Sequence, residues 1–110
     1  MWVLPFTIAA AGFLILCLCL PLVYRRVSMN YFYGVRIRQS FVSAERWYEI
    51  NAYGGRRLAY GSCVIILAGL AGFLTPPRYF LWYAGAAMVV VLVSVLVPLV
   101  QTISWARSIR

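Results

Sequence analysis

Five side chains in this 110-residue chain have types and spacing that could carry chemistry: Cys17 and Cys19, Glu45 and Glu49, and Cys63. A Cys-x-Cys pair could hold a soft metal or cycle between redox states. On a helix, however, side chains two residues apart point about 200° away from each other and cannot grip one ion. Cysteine inside an apolar run is ordinarily a small hydrophobe, and all three are read that way. Glu45 and Glu49, at i and i+4, put two carboxylates on one helix face, the beginning of a metal or acid–base pair. No His, no Asp and no third acid accompanies them. With Arg46 and Arg56 nearby they read as ion-paired surface groups. Absence of His also removes bis-histidine haem, most zinc sites and the commonest general base. The expectation is a protein with no catalytic residues, no metal and no cofactor, and hence no enzyme.

The elements that hold these residues are set by composition. Apolar residues make up 65% and charged residues 11%, and mean hydropathy is +0.88. Soluble domains run at roughly 45–50% apolar and about 25% charged. A chain this short cannot fold that much apolar surface away from water, so it is read as an integral membrane protein with a single transmembrane domain over residues 1–110. The fold class is all-α, with three membrane-spanning helices at about 2–24, 56–74 and 79–105. The first run lacks a cation ahead of it and is followed by Arg25 and Arg26, so it is read as a span and not a cleaved signal. The third exceeds the roughly 20 residues that a crossing needs, which predicts tilt or a bend at Pro98. Thr75-Pro76-Pro77-Arg78 is a helix stop between the second and third spans.

All ten cations are arginine and the net charge is +8. Seven of the ten lie between Arg25 and Arg57, Arg107 and Arg110 lie at the C-terminal end, and only Arg78 falls on the other side. Basic residues beside span ends set topology. They are therefore not read as a nucleic-acid surface. The pattern predicts the N-terminus outside and the C-terminus in the cytoplasm, with a cytoplasmic cap of arginines and aromatics at about 25–57. No acid lies within the spans, which counts against a proton-coupled exporter. Ser94, Gln101 and Thr102 on the third span are expected to make interhelical hydrogen bonds or to sit near the interface.

Ser43 is a good N-cap with Glu45 in the first turn behind it, so a helix is expected to start at about residue 44. Ala44, Trp47, Tyr48 and Asn51 share one face of it. Gly54-Gly55 would ordinarily interrupt such a helix. Gly54-Gly55, Gly61-Ser62 and Ala68-Gly69 nevertheless recur every seven residues, a stripe of small side chains that lets helices approach closely in lipid. One continuous helix from about 44 to 74 is expected, its first turns projecting into the cytoplasm.

Between the first two spans, Asn30 and Gly34 are turn residues, and Arg36 and Arg38 alternate with Val35 and Ile37 in a short extended pattern. Two accounts of this segment stay open. In one, arginines and aromatics anchor to headgroups. In the other, a structured cap forms in which Arg36 reaches backbone carbonyls or Glu45 and Glu49, and Asn51 meets the turn.

Asn30, Gly34 and Arg36, followed by Trp47, Asn51, Gly54 and Gly55 leading into a span, resemble the SdpI family of bacterial membrane proteins. The resemblance is close from residue 30 to about 60. It implies a non-enzymatic protein of the bacterial cytoplasmic membrane that acts through protein contact. The role implied is immunity to a secreted peptide toxin, or signalling through a soluble regulator brought to the membrane. No catalytic residues come with the family. On this reading the partner-binding candidates are Asn30, Gly34, Arg36, Arg38, Trp47 and Asn51. A second reading is a small accessory subunit that packs into a larger membrane complex through the small-residue seam, and a third is a holin-like pore former.

Overall fold

The computed structural model describes residues 2–109; Arg110, counted above among the C-terminal cations, lies outside them. Three helices dominate: α1 (Val3–Val23), α2 (Ala44–Phe73) and α3 (Phe80–Ser108). Short 3-10 turns at Arg38–Phe41 and Pro77–Tyr79 lead into α2 and α3. No strand occurs among the described residues. All three helices are long and apolar enough to cross a bilayer. The chain is an all-α, multi-pass membrane protein, elongated to 53 × 24 × 18 Å.

The apolar run of α1 stops abruptly. Arg26 N–H bonds back to the Pro21 carbonyl at 2.8 Å and Arg25 N–H to the Leu22 carbonyl at 3.2 Å. These are the two bonds of a Schellman cap, which needs a left-handed residue at the position Arg25 occupies. Arg25 takes it, with φ +58°.

Ser43 starts α2 by accepting the Arg46 N–H at 3.1 Å, and the helix runs through Gly54-Gly55 without interruption. Two consecutive glycines weaken a helix by roughly 1 kcal/mol each relative to alanine. Close packing on both sides of α2, the central helix, offsets that cost. The paired small residues do not form one stripe toward one neighbour; they divide between two. A Cβ on Gly55 would lie 3.1 Å from the Cys19 carbonyl, and one on Gly69 would lie 2.7 Å from Ala9 Cβ, both on α1. A Cβ on Gly54 would lie 3.0 Å from Thr102 Cγ2, and one on Gly61 would collide with the Ser94 carbonyl, both on α3. Adjacent helical residues point about 100° apart, so the Gly54-Gly55 pair gives one member to each neighbour. Ala68 is half-buried, and its carbonyl accepts the Tyr83 hydroxyl of α3 at 2.8 Å.

α3 continues unbroken through Pro98. Proline has no N–H, so the Ser94 carbonyl one turn earlier loses its helical donor, and Gly61 packs against that oxygen. Thr102 turns its hydroxyl to the Pro98 carbonyl of its own helix at 2.7 Å, and Ser62 does the same to Leu58 at 2.8 Å. Ser94 and Thr102 are buried and Gln101 is exposed. The hydroxyls of Ser62 and Thr102 thus bond within their own helices, and small size is what they offer across the interface. At the opposite end Pro5, Gly72 and Tyr83 meet, one from each helix; Pro5 Cγ would be 2.6 Å from a Cβ on Gly72.

Candidate functional site: the arginine-rich cap

The segment between α1 and α2 is a built structure. Its first turn is held by Asn30, whose Oδ1 accepts the N–H groups of Phe32 (2.8 Å) and Tyr33 (2.6 Å), while Nδ2 donates to the Ser28 carbonyl at 2.9 Å. This is the asparagine turn that the residue type favours. Gly34 follows with φ +113°, a region L side chains rarely adopt. It also faces the Asn51 carboxamide so closely that a Cβ would lie 3.3 Å from the Trp47 ring and closer still to Asn51.

Asn51 is the anchor. Its Oδ1 accepts the Val35 N–H, and its Nδ2 donates to the Trp47 carbonyl at 2.9 Å and to the Val35 carbonyl at 3.4 Å. The side chain thus occupies both backbone groups of Val35, as a neighbouring strand would. Trp47, fully buried, lends its ring as a floor and donates its indole N–H to the Val27 carbonyl at 2.8 Å. Phe41 packs on Trp47 at 5.6 Å and Tyr31 stacks on Phe41 at 5.2 Å. Ser40, also buried, closes the 3-10 turn on Ile37, accepting its N–H at 3.1 Å and donating to its carbonyl at 2.6 Å. No buried side-chain nitrogen or oxygen among the described residues lacks a partner.

Arg36 donates to the Tyr31 carbonyl. It takes no carboxylate: among the described residues the one ion pair is Arg46–Glu49, at 3.5 Å. The extended pattern read at 35–38 is irregular at Val35 and Arg36, and Arg38 begins the 3-10 turn. Both arginines are exposed, as is Phe32, at 92% of its surface, and Tyr31, at 72%. Ala44 is exposed as well, because the loop folds over α2 only from Trp47 onward.

The sequence pattern therefore marked residues that the fold brings into one unit: Asn30, Gly34, Arg36, Trp47 and Asn51, with Arg38 at its edge. It missed Tyr33, whose hydroxyl donates to the Leu18 carbonyl and ties the cap to α1. Burial raises the Tyr33 phenol above its usual pKa. Three aromatics in a row, Tyr31 to Tyr33, carry no pattern to tell which points inward. Ser40 was missed as well; a serine three residues after Ile37 in a short turn is its only signal. At the far edge Tyr53 stacks on Trp105 of α3 at 4.3 Å with Arg57 over its ring at 5.1 Å. Cys17 and Cys63 are exposed on the apolar helices and Cys19 is buried. No cluster of acids, histidines or cysteines among the described residues could hold a metal ion.

A model of the SdpI/YfhL protein family matches residues 26–105. That stretch takes in the whole cap, all of α2 and nearly all of α3. The chain belongs to the SdpI/YfhL family. Membership extends the likeness from the cap motif to α2 and α3 of this SdpI/YfhL protein, and α1 lies ahead of the match. No curated protein and no solved structure matches the chain.

Proposed function

We propose that this SdpI/YfhL protein is a non-enzymatic membrane factor that works by protein contact, as an immunity protein against a peptide toxin or as a membrane signalling element, with the cap as its working surface. One observation carries the reading: an internally hydrogen-bonded cap leaves Tyr31, Phe32, Arg36 and Arg38 exposed. Exposed aromatics and arginines are the residue types that dominate protein contact sites. The cap faces the cytoplasm of a bacterium, since Arg25, Arg26, Arg56, Arg57 and Arg107 all lie at the same end as the cap and Arg78 at the other.

The test is survival. A strain lacking the gene is challenged with the secreted peptide toxins of its own species and complemented with wild type, with Arg36→Ala or with Phe32→Ala/Arg38→Ala. Wild type should restore resistance and both cap variants should fail to, at equal membrane abundance. Equal sensitivity with and without the gene sinks the immunity form of the reading.

A further inference from the structure

A cavity of about 450 Å³ lies beneath the cap, at the arginine-bearing edge of the apolar layer. Ligand sites commonly run from about 300 to 1,000 Å³. Its walls are Leu18 and Leu22 of α1, Leu58 of α2 and Leu99 of α3, with Gly54 and Gly55 in its floor and Arg36 as its one charged lining residue. The cap bridges over it from Tyr33 to Ile37. Leu99 and Leu18, each about half-exposed, stand on the lipid-facing surfaces of α3 and α1, so the opening is lateral, toward the bilayer.

Arg36 gives the site its charge. Its guanidinium carries five N–H donors and gives one to the Tyr31 carbonyl, while both glutamates lie elsewhere on α2 and, among the described residues, the one ion pair is Arg46–Glu49. An arginine with no carboxylate partner among the described residues, at the rim of an apolar slot, is complementary to a molecule with an acyl chain and an anionic head. From this geometry we infer a site for one anionic phospholipid of the surrounding bilayer, its chain in the cavity and its phosphate on Arg36. The site shares Arg36 with the contact surface proposed above but does not rest on that role: Leu99→Trp fills the slot without touching Tyr31, Phe32 or Arg38.

The experiment is native mass spectrometry of the full chain, purified and exchanged into equal parts of phosphatidylglycerol and phosphatidylcholine, with stepwise removal of detergent and lipid. Wild type should keep one phosphatidylglycerol after phosphatidylcholine is stripped. Arg36→Gln and Leu99→Trp should each lower that retention at least tenfold, the first by removing the charge and the second by filling the slot from its rim. Both replaced side chains are exposed at the rim; if either variant does not run monodisperse, Arg36→Ala or Leu99→Phe takes its place with the same expectation in direction. Equal retention of the two lipids by wild type, or wild-type retention of phosphatidylglycerol in either variant, overturns the inference and leaves only ordinary boundary lipid.

Discussion

At the scale of single residues, the cap depends on two positions that must be what they are. Asn51 meets a donor and an acceptor of Val35 at once, which requires an amide at that spot: a carboxylate has no donor and an aliphatic side chain has neither. Asn51→Ala leaves the half-buried Val35 N–H without its side-chain partner, a loss of about 1 kcal/mol. It should free the loop, seen as faster protease cleavage between residues 30 and 40 with the spans intact. Gly34 combines φ +113° with contact against Asn51. Gly34→Ala should cost roughly 2–3 kcal/mol from backbone strain and displacement of the carboxamide, read as a lower thermal midpoint in detergent. Arg25 is a useful contrast. It too has positive φ, yet at +58° it sits in the left-handed well that L residues can enter at a cost of about 1–2 kcal/mol, and the fold keeps a cation where glycine would cap α1 more cheaply.

At the scale of elements, the governing fact is that α2 has a neighbour on each side. The heptad recurrence of small pairs was legible in the sequence and correctly implied a continuous helix through Gly54-Gly55. That the small residues serve two interfaces was not legible, because a stripe reads the same whether one helix or two lie against it until the crossing geometry is known. Asn30 and Gly34 were legible because their turn chemistry is local, and Trp47 and Asn51 because they share one face of the helix and fall in the motif that resembles the family. Tyr33, Ser40 and the cavity arise from how the loop lies over α1 and α2, which no local pattern encodes. The two-sided packing makes a sharp prediction. Gly61→Val forces a side chain into the Ser94 carbonyl and should loosen α3 from α2, whereas Gly69→Val should loosen α1. Disulfide trapping between engineered cysteine pairs should report each loss separately, the α2–α3 pair failing in the first variant and the α1–α2 pair in the second.

At the scale of the whole molecule, α2 is 30 residues long, about 45 Å at 1.5 Å per residue, against a hydrocarbon core of about 30 Å. It is thus longer than a crossing needs; its first turns, bearing Glu45, Arg46 and Glu49, are the pillar on which the cap is built, while its remainder is the axis of the bundle. This division assigns the membrane-embedded part to holding and the cap to meeting something. The accessory-subunit reading divides the molecule the other way, with the spans as docking faces and the cap as an anchor. Affinity purification from native membranes in mild detergent separates the two most directly, comparing wild type with Phe32→Ala/Arg38→Ala. The account predicts that a peptide or a soluble regulator accompanies wild type and is lost from the cap variant. Stoichiometric recovery within a large membrane complex, unchanged by the cap substitutions, would contradict it.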